Sequence, residues 1–249
     1  TDTAVVFFSD FGVFGVDETF NQHRLNDQNH AHVRLVCTHI GLDVGEDGKT
    51  HQCIDYIGAL QNLFGFHIVI PADANQTDRV IRAIAGAPGC WFVGMGRSKM
   101  PMVLDEKGDI FFGPDYRFVY GKADIIRSGT KGYILTMGCL VPRMVQVADD
   151  LRSTGLDIGV INVSCPTALD TTALATAMAS GFIVTVEDHH VDTGLGASVA
   201  LALASAGYRG TFYRRGVNKY GYSGEPDFLF EQQGIGTNSM KRFLMEKLQ

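Results

Sequence analysis

The sequence lacks the features that would place the protein in a membrane or on nucleic acid. No apolar run approaches the ~20 residues that a membrane-spanning helix needs. The net charge is −6 and the lysines and arginines are dispersed, so no basic surface suited to nucleic acid is predicted. The first residues have neither the basic region nor the cleavage signature of a secretory leader. We therefore expect a cytoplasmic protein that contacts neither membrane nor nucleic acid.

Cysteine motifs are also missing. The five cysteines are an odd number, and no two of them have the C-x-x-C spacing. Most stand in apolar surroundings, which favours free buried thiols in a reducing compartment. We assign no chemistry to these residues, which are Cys37, Cys53, Cys90, Cys139 and Cys165.

What the sequence does contain is an alternation of apolar runs and helical patterns, with a hydrophobic content of 45%. Such alternation predicts parallel strands with right-handed crossovers. Between them, glycines and charged residues interrupt short apolar pieces. We therefore predict two α/β domains with mostly parallel sheets, at 1–100 and 131–249, joined by a linker with a hairpin at 101–130. The chain enters an apolar run at once without a starting Met, so we expect the first domain to be incomplete at its N-terminus.

The segment Thr38–Gln52 is the most informative part of the chain, because two histidines bracket an acidic stretch punctuated by glycines. The apolar run Val33–Cys37 before it predicts a buried strand, and a helix is predicted after it, from Gln52 to about Leu63. The segment is therefore a loop at the carboxyl end of a strand. Ligands bind at such positions in open α/β sheets.

Four polar residues of this loop, His39, Asp43, Asp47 and His51, recur at intervals of four and would form a metal-binding face on a helix. The glycines among them argue against a helix, since each costs roughly 1 kcal/mol relative to Ala. A calcium-binding EF-hand is excluded because Ile54 stands where a bidentate acid is needed. Two interpretations remain: a solvated turn, or a site where imidazoles and carboxylates bind sugar hydroxyls.

Three other residues also allow two interpretations each. Phe11 and Phe14 stand between a predicted strand, Ala4–Phe8, and a predicted helix that runs from about Asp17 to Asn29. Aromatic residues at this spacing pack in a core or form a platform for a flat heterocycle. The guanidinium of Arg97, after another predicted strand, suits a surface ion pair or a phosphate.

A second polar cluster, Glu187–His190, follows the predicted strand Phe182–Val186. Its carboxylates and imidazoles could bind a metal ion. No other ligand set has recognisable spacing, however, so interface or capping groups are favoured over a metal site.

Several of these motifs together resemble the transketolases, which are thiamine diphosphate enzymes. The run from Thr38-His39 through Gly45-Glu46-Asp47-Gly48 to Thr50-His51-Gln52 resembles the substrate loop of that family. The likeness continues in the family's order through Ile70–Asn75, Val184–His189 with Gly194–Gly196, and Tyr222–Pro226. The central motif is specific, whereas the C-terminal ones are shared with deoxyxylulose-phosphate synthase and the β subunits of 2-oxoacid dehydrogenases.

The resemblance implies where the cofactor would bind. Phe11 and Phe14 match the aromatic residues that pack on the aminopyrimidine ring of thiamine diphosphate. Asp17 stands where a further aromatic residue is common.

It also implies roles toward the substrate. His51 would contact the two-carbon fragment near the thiazolium, and Asp47 would accept a hydrogen bond from the α-hydroxyl of the donor. His39 would reach the distal hydroxyls and Arg97 the phosphate. The first three residues form the predicted catalytic set, and all four the predicted substrate-binding set.

Two parts of the family pattern are missing. The Gly-Asp-Gly run of the magnesium and diphosphate site does not occur, and neither Glu18 nor Glu46 matches the glutamate that drives cofactor activation. The resemblance therefore implies the second subunit of a split transketolase. An N-terminal, diphosphate-binding partner subunit would complete each site and hold most of the Mg²⁺ (or Ca²⁺) ligands, in an α2β2 heterotetramer.

The implied reaction transfers a two-carbon glycolaldehyde (ketol) unit from a ketose phosphate to an aldose phosphate, as in the pentose phosphate pathway. 1-Deoxyxylulose-5-phosphate synthase is a weaker match, because it has an Asp-Arg pair in place of Thr38-His39. A 2-oxoacid dehydrogenase E1 β subunit fits the Gly45–Gly48 run poorly. A non-catalytic regulatory homologue is disfavoured by the retained histidines and Asp47. Whether the donor carries a phosphate or a sulfonate stays open.

Overall fold

The computed structural model describes residues 4–248, which form two sheets flanked by helices. The strands of the first sheet are β1 (Val6–Phe11), β2 (Val33–Thr38), β3 (Phe66–Val69) and β4 (Cys90–Gly94). They are all parallel, in the order β1-β2-β4-β3. The helices of this half are α1 (Phe20–Gln28), α2 (Tyr56–Leu60) and α3 (Ala74–Ile84).

The second sheet has five strands: β5 (Asp124–Arg127), β6 (Tyr133–Thr136), β7 (Gly159–Asn162), β8 (Phe182–His190) and β9 (Thr211–Val217). Their order is β5-β7-β6-β8-β9, and only the pairing of β5 with β7 is antiparallel. The helices are α4 (Leu140–Arg152), α5 (Thr171–Ala179), α6 (Leu195–Ser205), α7 (Pro226–Gln233) and α8 (Thr237–Leu248). The prediction of two α/β domains with mostly parallel sheets is confirmed.

The segment between the sheets crosses from one half to the other. It contains a single antiparallel bridge, between Leu104 and Ile110, and β5 already belongs to the second sheet. Asp73 ties this segment to α3. One carboxylate oxygen accepts from the N–H of Gln76 and caps the helix, and the other accepts from Val103 N, both at 2.8 Å. The predicted domain limits stay a prediction.

One hydrophobic cluster runs through both halves. Leu35 and Phe92 of the first sheet and Leu135 and Ile161 of the second belong to it, and all four are buried. Burial of apolar surface contributes about 25 cal/mol per Å², so a shared core holds the two sheets in one arrangement. That arrangement brings the end of β8 against the loop that follows β2.

The N-terminal prediction is wrong in its boundaries. The first strand runs over Val6–Phe11, so that its pairing with β2 extends to Phe11 opposite Thr38. The residues predicted to start one helix form a π-helical turn, Val13–Glu18, before α1. A Cβ on Gly15 would press on the Cys37 sulfur, so glycine lets this turn lie close to β2. Apolar spacing alone does not distinguish a π-helical from an α-helical turn.

Two further boundaries differ. The helix predicted from Gln52 is confined to Tyr56–Leu60, because the residues before it form a bridge and turns of the loop. The strand predicted to end at Val186 continues to His190, where it pairs with Val217 of β9. Near its end, Glu187, Asp188 and His189 are polar but buried, a combination that sequence patterns do not predict.

All five cysteines are buried and free, which confirms the prediction of free buried thiols. Within residues 4–248, no helix has the length and apolar character needed to cross a bilayer.

Candidate active site

The aromatic and imidazole side chains at the carboxyl edge of the first sheet form one cluster. Phe11 ends β1, and its ring stacks on His39 with centroids 3.7 Å apart and planes 10° apart. Phe14 lies 6.1 Å from Phe11 between centroids, and its ring meets His51 edge-on at 5.4 Å. Tertiary structure thus brings together four side chains from three separate segments of the chain.

His39 has an unusual backbone conformation at the start of the loop. Its φ of +58° lies in the left-handed region that few residues other than glycine adopt. Its Nδ1 is 2.7 Å from the Thr38 hydroxyl. Burial lowers the pKa of His39, and the charge of Asp47 is the largest influence in the other direction. The neutral imidazole, which can donate and accept at once, is therefore favoured near neutral pH.

The rest of the loop consists of two 3-10 turns, Gly41–Asp47 and Lys49–His51. Gly45 and Gly48 have φ of 72° and 76°, which side chains rarely tolerate. The loop therefore has no continuous α-helix, as the glycines predicted.

Asp43 does not face the histidines. It is fully buried, and its carboxylate accepts hydrogen bonds from Ser98 N at 2.8 Å and from the Ser98 hydroxyl at 2.6 Å. Asp47 is exposed. Of the four residues spaced by four, the structure thus leaves His39, Asp47 and His51 available to a ligand.

Arg97 lies beside this group and is engaged by a neighbour. Its Nη1 forms an ion pair with Glu46 and donates to the carbonyl of Val44 at 3.3 Å. The positive charge of Arg97 also lowers the pKa of His39. Of the two interpretations of Arg97, the surface ion pair is therefore the one that this structure contains.

Within the described residues, one group has the spacing to hold a metal ion. Ligand atoms of Asp17, Cys53 and Asp55 lie within 4.8 Å of one another. Burial, and then the charges of Asp55 and Glu18, raise the pKa of Asp17 to about 7. The sequence did not predict this group, because its members come from different segments with no ligand motif.

The polar cluster at the end of β8 caps backbone groups and does not form a metal-binding set. Glu187 accepts from the N–H groups of Leu195 at 2.6 Å and Gly196 at 2.8 Å, at the start of α6. His189 Nε2 accepts from Ile57 N at 3.0 Å, at the start of α2. Burial raises the pKa of Glu187 to about 8 and lowers that of His189 to about 3. The preference for interface and capping groups is correct.

Asp188 points across to the first half of the chain. Its Oδ1 accepts from Leu42 N at 2.8 Å and its Oδ2 from Asp43 N at 3.1 Å. Burial raises the pKa of Asp188 to about 7, although the two N–H donors oppose this shift. A Cβ on Gly41 would overlap this carboxylate, so only glycine permits the approach.

The loop before α7, at residues 221–223, makes hydrogen bonds with the candidate substrate loop, Thr38–Gln52. The amide side chain of Gln52 donates to the carbonyl of Tyr222 at 3.0 Å and accepts from Gly221 N at 2.8 Å. The Ser223 hydroxyl donates to the carbonyl of Glu46. Both motifs stand out in the sequence, but no sequence pattern links them.

Two family models match the chain. The transketolase pyrimidine-binding domain matches residues 2–102, and the transketolase C-terminal domain matches residues 121–240. The chain belongs to the transketolase family. Membership supports a thiamine-dependent transferase, and the pyrimidine-binding domain implies the use of thiamine diphosphate.

The relatives include both separate and full-length proteins. A putative transketolase C-terminal section from Methanocaldococcus jannaschii is 29% identical over 100% of this chain and 77% of its own length. One subunit of an apulose-4-phosphate transketolase from Actinobacillus succinogenes is 28% identical over 85% of this chain and 67% of its own length. Transketolase-like protein 1 of Bos taurus is 26% identical over 97% of this chain but only 40% of its own length.

Solved structures agree with this assignment. A split gene transketolase, described as an inactive β4 tetramer, superposes with a TM-score of 0.82 and 27% identity over 97% of this chain and 75% of that chain. Transketolase from Campylobacter jejuni has a TM-score of 0.76 at 20% identity, over 97% of this chain and 35% of that chain, which shows a shared fold. The chain thus corresponds to the C-terminal section of transketolases.

Proposed function

We propose that the chain is the C-terminal subunit of a split transketolase that transfers a two-carbon ketol unit from a ketose phosphate to an aldose phosphate. The observation that carries the proposal is the convergence of Phe11, Phe14, His39 and His51 at the carboxyl edge of the first sheet. Apolar ring faces and imidazole donors in one place suit a flat heterocycle beside a polyhydroxylated substrate.

The residues present fit one end of thiamine diphosphate. Phe11 and Phe14 would hold the aminopyrimidine, since their ring planes differ by only 22° and both rings lie at the carboxyl edge of the first sheet. When bound, the thiazolium supplies the stabilised carbanion that breaking and forming a ketose carbon–carbon bond requires. The Asp17 group near this cluster is not the Gly-Asp-Gly pattern of the family, so we assign the diphosphate and its Mg²⁺ to a partner.

The chain's own polar residues would then bind and orient the sugar. The imidazole of His51 would accept a hydrogen bond from a hydroxyl near the reacting carbon. Asp47 would accept a hydrogen bond from the neighbouring hydroxyl. His39, kept neutral by burial, would bind more distant hydroxyls, and Arg97 would exchange its bond with Glu46 for the phosphate.

The partner would be an N-terminal, diphosphate-binding subunit, with an α2β2 assembly. Two relatives support it, one described as a C-terminal section and the other as a separate subunit of its transketolase. A neighbour described as an inactive tetramer of β chains supports it as well. Under this proposal, residues 1–100 are the pyrimidine-binding domain, residues 101–130 the linker and residues 131–249 the C-terminal domain. The enzyme would be cytoplasmic and would act in the pentose phosphate pathway.

The test is reconstitution. The chain is mixed with its diphosphate-binding partner, thiamine diphosphate and Mg²⁺, and assayed with xylulose 5-phosphate as donor and ribose 5-phosphate as acceptor. We expect transfer by the mixture and none by either subunit alone. Full activity of this chain alone would contradict the split site.

A donor panel sharpens the assignment. Pyruvate in place of the ketose distinguishes a deoxyxylulose-phosphate synthase or a 2-oxoacid dehydrogenase β subunit. Apulose 4-phosphate belongs in the panel because a relative is named for it, and a sulfonated ketose tests the anion. Binding of thiamine diphosphate without turnover of any donor would indicate a regulatory homologue.

A further inference from the structure

The first turn of the candidate substrate loop, Thr38–Gln52, is capped by a residue from the other half of the chain. The 3-10 turn that starts at Gly41 has no side-chain cap of its own. The N–H groups of Leu42 and Asp43 donate instead to the two oxygens of Asp188, a residue of the second sheet that is 5% exposed. A carboxylate at the N-terminus of a turn makes charge-assisted hydrogen bonds, which are stronger than those between neutral groups.

We propose that Asp188 is a positioning residue for the transferase reaction. It sets the conformation of residues 41–52 from the C-terminal domain and so orients His51 and Asp47 toward the sugar. This inference rests on the proposed function of the loop as the sugar site.

The packing around the carboxylate makes the placement specific. Gly41, with φ of +70°, lies so close to Asp188 that any side chain would collide with the carboxylate. The far end of the loop is tied to the same half of the chain, by Gln52 to the backbone of Gly221 and Tyr222. Both ends of the loop are therefore hydrogen-bonded to the C-terminal half, in addition to the bonds that Asp43 and Val44 make with Ser98 and Arg97.

Glu187 is a matched control on the same strand. It is also a buried carboxylate that accepts from two consecutive N–H groups, but these belong to Leu195 and Gly196 of its own half. Asp188→Asn and Glu187→Gln make the same chemical change. Each leaves one acceptor oxygen and turns an amide N–H₂ toward a backbone N–H.

Amide hydrogen exchange of the full chain, followed by mass spectrometry near pH 8, tests the inference without partner, cofactor or activity. We expect Asp188→Asn to accelerate exchange across 41–52 about tenfold or more, with 195–205 unchanged. Glu187→Gln should do the reverse. The inference is overturned if 41–52 exchanges at the wild-type rate in Asp188→Asn, or equally fast in both variants.

If Asp188→Asn does not fold, Gly41→Ala disturbs the contact from the loop side with both carboxylates intact. It should accelerate exchange over the same residues, and wild-type exchange there would overturn the inference.

Kinetics of the reconstituted complex provide the second readout. Asp188→Asn should lower kcat/KM for the ketose donor about tenfold, whereas Glu187→Gln should stay within about twofold of the wild type even if its thermal midpoint falls. Equal losses in both variants would reduce Asp188 to a structural role. If the wild-type complex transfers no ketol unit, the proposed function fails and the exchange result still stands.

Discussion

The polar side chains at the carboxyl ends of the strands are exposed in the first sheet and buried in the second. At the carboxyl ends of the first sheet, Phe11, His39 and Arg97 keep accessible faces. At the end of β8 in the second sheet, Glu187 and His189 are fully buried and bind backbone N–H groups. Both sheets are mostly parallel α/β structures, so the architecture alone does not say which edge receives a ligand.

The difference teaches that burial, more than composition, separates the two polar edges. Histidines and acidic residues follow strands in both halves of the sequence. In the first half the candidate site residues remain partly or fully exposed. In the second half the first domain packs over the edge, and the buried Glu187, Asp188 and His189 accept hydrogen bonds from backbone N–H groups, because an unmade hydrogen bond is costly.

The largest expected effect comes from the open edge. His51→Ala should lower kcat/KM of the reconstituted enzyme by about 100-fold or more, because a positioned acid–base group contributes that much. His190→Ala is the control, since His190 lies at the other edge and contacts Asp192 N. Steady-state kinetics of both variants measure the contrast, and comparable losses would remove the distinction between the edges.

The second prediction concerns the contact between the edges. Gly41→Ala should destabilise the chain by about 2–4 kcal/mol, because it combines a positive φ with a collision against Asp188. Gly108→Ala isolates the backbone cost, since Gly108 has φ of +87° and open space around it, and should cost about 1 kcal/mol. Denaturant unfolding measures the change in the free energy of unfolding for both variants. Equal changes would mean that the loop moves away from Asp188 at little cost.

The third prediction uses the closed edge and pH. The pKa of His189 is lowered to about 3 when folded, against about 6.5 when unfolded, so on acidification the unfolded chain takes up the proton first. The contribution of His189 to the free energy of unfolding should therefore fall below about pH 6.5, by at most about 1.4 kcal/mol per pH unit.

His189→Asn lacks this term. It should be less stable than the wild type at pH 7.5, and the difference should narrow toward pH 5. Unfolding curves at several pH values measure the gap. A gap that does not vary with pH would show that the imidazole is not a buried neutral acceptor.

The smallest effect is expected at the rim of the open edge. Glu46→Gln should release Arg97 and lower KM for a phosphorylated donor a few-fold at low salt, with the thermal midpoint nearly unchanged. The effect should vanish at high salt. Asp78→Asn, which breaks an exposed ion pair with Arg82 on α3, is the control. A KM that stays constant would argue that Arg97 does not meet the phosphate.

Much of this protein could be predicted from local pattern. Alternating apolar runs and helical spacing predicted the two α/β domains, because such periodicity reflects which face of an element is buried. The irregular loop followed from its glycines. The family resemblance came from short motifs whose residues stay close along the chain.

Tertiary structure decided which polar residues are free to act. Asp43 and Asp47 are four residues apart with the same carboxylate, yet one is buried against Ser98 and the other faces solvent. For the cluster that contains Asp188 the sequence favoured interface or capping groups, but only the structure shows its partners, the N–H groups of Leu42 and Asp43, far away along the chain. The physical reason is that accessibility and hydrogen-bond partners depend on what packs against a residue, which neighbours in sequence do not specify.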